Sequence, residues 1–212
     1  MANTPIQSEQ YLAAANYSLA QFFTTFVSQQ ETLLRLQTEL EEIESARVIR
    51  TEIFLDRDQW SVNANYLYGQ FLDRLQRLDI MANAIGTTEQ QQLSSALATM
   101  GATEESMSVI AGAILQVGKQ VLSYRHGAKG NLPTSRMVGT QHLTEVVWEG
   151  RNHAMHWEEH SPRPPVTAML NALATDLQVQ IVPNSNNSWA ILAAIGWTNE
   201  NEMVAELKQL IQ

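Results

Sequence analysis

From Ser8 to Arg50 the apolar positions Leu12, Leu19, Phe23, Phe26, Leu33, Leu36, Leu40 and Ile43 recur at threes, fours and sevens, with no glycine or proline among them. That period belongs to an α-helix with one buried face. It predicts one very long helix, or two joined by a bend near residues 28–31. The second half, ETLLRLQTELEEIESARVIR, is Leu-rich on one side and charged on the other, as in a packed hairpin arm or coiled-coil seam. Alternating β-branched runs bounded by turn signals are nearly absent, so the fold class is all-α. The architecture expected is an up-and-down helical bundle with a long N-terminal helix or helical hairpin over about 8–50.

Punctuation divides the remainder. A helix is expected from about Ser61 to Ala84, closed at Gly86, and a short one from Thr87 to Met100, ended by Gly101. Thr103 with Glu104 and Glu105 is a good start for a helix to about Tyr124, and RHGAKGNLP reads as a loop. Another helix is placed at about 137–160, where SPRPP breaks it, and C-terminal helices at about 165–212, with NSNNS between them. The 212 residues are expected to form a single domain over 1–212.

The helix at 137–160 has two readable faces at about 100° per residue. Leu143, Val146, Val147, Gly150, Ala154 and Trp157 form an apolar stripe whose small residues permit a close helix approach. Away from it lie Arg151, Met155, Trp148, Asn152 and His156. A Trp and a Met together opposite a core stripe suggest a covering partner, and Trp148 and Met155 are the expected homodimer interface. Arg151 and His156 are about 140° apart, so one helix does not bring them side by side, whereas a two-fold pair of helices can.

Composition removes several classes. With 44% hydrophobic and 17% charged residues the chain is globular, and without cysteine it has no disulfide, thiolate metal site or cysteine nucleophile. The first twenty residues lack a basic, apolar leader pattern, and nowhere do about 18 apolar residues run together; the expectation is a cytoplasmic protein without a membrane span. A net charge of −9 argues against a general nucleic-acid binder. The average hides an asymmetry, because residues 119–163 hold six bases (Lys119, Arg125, Lys129, Arg136, Arg151 and Arg163) against four acids, together with all five histidines. Lys119, Arg125, Lys129, Arg136 and His153 are therefore the candidate substrate contacts.

Residues 151–156, RNHAMH, carry the candidate chemistry. Histidine transfers protons near neutral pH, and arginine stabilises anionic phosphate oxygens and binds them in bidentate fashion. Together they suffice in kind for cleavage of RNA by its own 2′-hydroxyl. No Gly-rich phosphate loop or serine nucleophile signature competes.

Arg151, Asn152 and His156, inside WEGRNHAMHWEE late in a helical chain, resemble the motif of the HEPN superfamily (higher eukaryotes and prokaryotes nucleotide-binding domain). By helix order the resemblance covers roughly residues 60–160. It implies a metal-independent, cofactor-free endoribonuclease whose site forms at a two-fold interface, with Arg151 and His156 catalytic and Asn152 in support. It also implies RNA as partner and a setting in toxin–antitoxin or defence systems beside a nucleotidyltransferase or other antitoxin. The sequence departs from toxins paired with such nucleotidyltransferases at Glu158, where they tend to carry a tyrosine.

Two other readings stand beside this one. His153 with His156, or His156 with His160, has a spacing that can hold a metal ion, which would make the chain a His-rich metal-binding bundle. Alternatively the long N-terminal helices build a non-catalytic RNA- or protein-binding scaffold. An enzyme depends on Arg151 and His156 individually; a scaffold depends on the seam from Leu33 to Ile43.

Overall fold

The computed structural model describes residues 5–55, 68–159 and 162–212, with side chains described for 7–42, 91–159 and 162–212. With no breaker in its path, the N-terminal segment is one helix, α1 (Pro5–Leu55), without an end near residues 28–31. The second helix, α2 (Tyr68–His126), is also continuous. It runs through Gly86 and Gly101, which corrects the two breaks expected there. At Gly101 a glycine costs an exposed helix about 1 kcal/mol relative to alanine, too little to end it when flanking turns are held. The hydroxyl of Thr103 donates to the Thr99 carbonyl at 2.8 Å, the bond of a residue inside a helix and not of an N-cap. The expected start at Ser61 lies outside the described residues.

The helix α2 ends where the sequence says it should. Gly127 adopts a left-handed φ of 77°, its amide bonds the Ser123 carbonyl at 2.9 Å, and a single 3-10 turn, Lys129–Asn131, follows. A short antiparallel hairpin then pairs β1 (Met137–Val138) with β2 (Gln141–His142). Its turn needs Gly139, whose φ is 62° and whose absent side chain leaves room for Asp176. That carboxylate accepts from the Thr140 amide at 2.8 Å and hydroxyl at 2.6 Å, bonds that hold its pKa below the usual value. The motif helix, α3 (Leu143–His156), therefore starts six residues later than the expected 137 and closes in a 3-10 turn, Trp157–Glu159.

Pro164 and Pro165 open α4 (Pro164–Leu177), where a missing amide hydrogen costs nothing. The C-terminal segment forms two helices, α5 (Ser188–Ile195) and α6 (Glu200–Leu210). Gly196 separates them at φ 81°, and Asn199 caps α6 by accepting from the Glu202 amide at 3.1 Å. Among the described residues the fold is all-α apart from the small hairpin.

The chain falls into two compact units, Met1–Gln30 with Glu104–Gln212, and Glu31–Thr103. In the first, Leu12, Leu19, Phe23 and Phe26 of α1 are buried, as are Ile114, Leu115, Leu122, Leu143, Val146, Leu173 and Ile191. In the second, Leu33, Leu36 and Ala96 are buried and Leu40 is half-buried, while the side chain of Ile43 lies outside those described. Within the first unit α2 and α3 approach closely along their small residues. A Cβ built on Gly112 would lie 3.1 Å from Ala154, on Gly118 3.1 Å from Val147, and on Gly150 3.3 Å from Leu115. The contacts descend on one helix as they rise on the other, so the two run antiparallel.

Candidate functional site

The core stripe of α3 is wider than the apolar residues alone imply. Leu143, Val146, Val147 and Gly150 are buried as expected, but so are Glu149 and His153, while Ala154 and Trp157 are half-buried. Burying Glu149 is tolerable because both carboxylate oxygens are satisfied. Lys129 donates to Oε1 at 2.7 Å, and the Asn152 amide donates to Oε2 at 3.1 Å. The second bond turns the Asn152 carbonyl oxygen toward Arg151, whose guanidinium lies 3.5 Å away. Arg151 is further held through Nε by the Gln116 side chain of α2 at 2.5 Å.

One turn earlier the same pair of helices makes a second contact. Lys119 lies three residues beyond Gln116 on α2, and Trp148 three before Arg151 on α3; the Lys119 ammonium sits 4.7 Å from the Trp148 ring centroid. Partial burial first, and the charge of Arg151 second, lower the pKa of Lys119. Trp148 is thus half-buried under a cation, whereas Met155 remains 59% exposed.

At the end of α3 the His156 Nδ1 lies 2.6 Å from the Glu159 carboxylate, which follows in the 3-10 turn. An Nδ1–H donated to that oxygen leaves Nε2 as the ring's free, basic nitrogen. The side chain is 40% exposed. Asn152, His153, His156 and Glu159 form one wall of a shallow depression, and Pro162, Arg163 and Val166 form the other. Asn152 and His156 are therefore brought together, one turn apart, while Arg151 faces the α2 seam.

The remaining candidate cations are committed elsewhere. Arg125 donates to the carbonyls of Ile211 and Gln212, and Arg136 grips Glu206 at 2.6 Å and the Ile195 carbonyl at 2.7 Å. Lys129 neutralises Glu149. His153, expected among substrate contacts, is a core residue, 6% exposed, with Nε2 accepting from the Asn187 amide at 3.0 Å. Asn187 is itself a knot, bonding the backbone of Val182 and Ser185, so the NSNNS segment is closed over His153. Among the described residues no three metal-ligating side chains cluster, and His160, the third residue of the expected metal face, lies outside them. No described helix is long and apolar enough to cross a membrane.

Sequence reasoning missed Gln116, Glu149, Asn187 and Glu159. Of these Glu149 and Glu159 were within reach, because their i,i+3 spacings from Asn152 and His156 are the spacing of helical side-chain pairs.

The His153 arrangement sets a pH dependence. The Asn187 amide requires Nε2 unprotonated, so the proton sits on Nδ1, which is buried without a hydrogen-bond partner. Burial holds the ring pKa below its ordinary 6.5, offset only in part by the Ser185 carbonyl, which closes no proper hydrogen bond to Nδ1. The unfolded chain takes up this proton first. The stabilisation from a neutral His153 is therefore full above its unfolded pKa and is lost as pH falls through the lower folded value. We expect the melting midpoint to fall more steeply between about pH 7 and pH 5 in the wild type than in His153→Gln. Parallel pH profiles would contradict this.

Comparison of the chain with family models, with curated proteins and with solved structures finds no match.

Proposed function

We propose that this protein is a metal-independent endoribonuclease of HEPN type, with His156, Asn152 and Arg151 as its working residues. The observation that carries the reading is the His156–Glu159 pair. A carboxylate fixes the ring and leaves Nε2 free in an open depression that Asn152 and Arg163 also line. This is the arrangement an acid–base histidine needs.

In the reaction, Nε2 of His156 takes the proton of an RNA 2′-hydroxyl as that oxygen bonds to phosphorus. The bond from phosphorus to the 5′-oxygen breaks, and the departing oxygen takes a proton from solvent. Arg151 stabilises the charge that grows on the non-bridging oxygens. Because Arg151 and His156 point about 140° apart on α3, the proposed site pairs Arg151 of one copy with His156 of a second. The exposed Met155 and the neighbouring Trp148 then lie in the covered surface. A toxin or defence role with an antitoxin partner follows only from the family resemblance and is proposed on that ground.

The test is direct. Purified protein incubated with labelled single-stranded RNA in EDTA is expected to yield fragments ending in 2′,3′-cyclic phosphate, the product that 2′-hydroxyl attack leaves. Activity lost in EDTA and restored by Zn²⁺ or Mn²⁺ would refute the metal-independent mechanism. No cleavage by the dimer under any condition would refute the enzyme.

A further inference from the structure

Six bases lie between residues 119 and 163, and the structure sorts them. Arg125 is spent on backbone carbonyls, Lys129 on Glu149 and Arg136 on Glu206. Lys119, Arg151 and Arg163 form no ion pair with an acid among the described residues, and of these Lys119 and Arg151 are neighbours across the α2–α3 seam, close enough that the charge of one acts on the other. In a chain with twenty-two acids and thirteen bases, two neighbouring cations with no carboxylate between them are unusual. Like charges so placed repel, and part of the lowered Lys119 pKa is that repulsion.

Both are nevertheless held in place. Gln116 accepts from Arg151 Nε, and Asn152 accepts from one terminal nitrogen, which leaves the other guanidinium hydrogens without a bond to any described residue. The Trp148 ring forms a floor beneath the Lys119 ammonium. Gln116 and Lys119 on α2 and Trp148 and Arg151 on α3 therefore make a four-cornered frame. It holds two positive groups near enough to repel each other and, among the described residues, supplies no ion-pair partner for either.

We propose that Lys119 and Arg151 together seat one backbone phosphate of a single-stranded nucleic acid. The inference rests on the ribonuclease reading for the choice of a nucleic acid, but the seat itself is defined by the frame. Lys119 acts as a binding residue, and Arg151 both binds this phosphate and serves the reaction. The strand then crosses the α2–α3 seam on its way to His156, which makes affinity depend on a residue that does no chemistry.

The experiment uses the full-length protein and a fluorescent single-stranded DNA oligomer, which lacks the 2′-hydroxyl and is not cleaved. For single strands each neutralised phosphate contributes about −0.7 to the slope of log affinity against log salt concentration. Lys119→Gln is expected to make the slope shallower by about 0.7 and to weaken binding about fivefold at low salt. Lys119→Arg should restore both. Lys208→Gln, at an exposed lysine of α6, should change neither. A Lys119→Gln slope equal to wild type overturns the phosphate seat, even if RNA is still cleaved. So does an equal loss in Lys208→Gln, or no binding of the oligomer at all. A Lys119-dependent slope in a protein that cleaves no RNA upholds the seat and overturns the nuclease.

Discussion

His156→Ala is expected to lower RNA cleavage about 100-fold to 10,000-fold, the usual loss when a general acid–base group is removed. Melting behaviour and oligomeric state should be unchanged, because the ring is 40% exposed and its one described polar partner, Glu159, is exposed as well. Glu159→Gln provides the graded companion. It keeps a hydrogen-bond acceptor for Nδ1 but removes the negative charge, so its loss should be smaller than that of His156→Ala and should be accompanied by a changed pH–rate profile. Cleavage assays across pH, alongside thermal melts, decide the matter. An alanine variant as active as wild type would remove His156 from the chemistry and with it the proposed mechanism. Equal losses in both variants with an unmoved pH profile would instead mean that the pair matters only as structure.

The second large effect is expected at the α2–α3 seam. Gly150→Val should destabilise the fold by about 1–3 kcal/mol, the range for overpacking a filled core. In a chain of this size that is roughly 2–4 °C of melting midpoint per kcal/mol. The reason is geometric. A Cβ at Gly150 would stand 2.9 Å from the Ile191 methyl of α5 and 3.3 Å from Leu115 of α2, and valine adds two more carbons. Helix propensity alone predicts the opposite sign, because glycine is the poorer helix former by about 1 kcal/mol. Gly101→Ala isolates that term, since nothing lies within 4 Å of the Cβ it would add, and it should be neutral or stabilising. If both variants gained stability, the close approach of the helices would not be a determinant of the fold. Displacing α3 from α2 also pulls Arg151 from Gln116, so Gly150→Val should weaken oligonucleotide binding as well.

The close approach could be read before any coordinates, since Gly150 and Ala154 fall on the same stripe as Leu143, Val146 and Val147. So could the long N-terminal helix, where every predicted apolar position from Leu12 to Leu36 is buried. Periodicity reports which residues a helix must hide, and hiding apolar surface is the dominant local demand. The same logic failed at Gly86 and Gly101, where a weak local preference was treated as a stop although a long helix absorbs it. It also failed at the Met137–His142 hairpin, which is too short to show an alternating pattern and depends on Asp176, thirty-six residues beyond Thr140.

The roles of the polar residues divide along the same line. The sequence by itself determined that the chain is helical, which face of α3 is apolar, and that bases and histidines gather between residues 119 and 163. Only the tertiary structure decided which of them remain available. His153 and His156 are three residues apart and chemically identical, yet one is buried with Nε2 bonded to the Asn187 backbone amide and the other is 40% exposed with Glu159 at its Nδ1. Arg136 and Arg151 are the same residue type, yet one is neutralised by Glu206 from α6 and the other meets the neutral amides of Gln116 and Asn152. A helical period fixes where a side chain points along its own helix. Whether a charge is satisfied depends on what other elements place opposite it, and those partners stand 35 and 70 residues away.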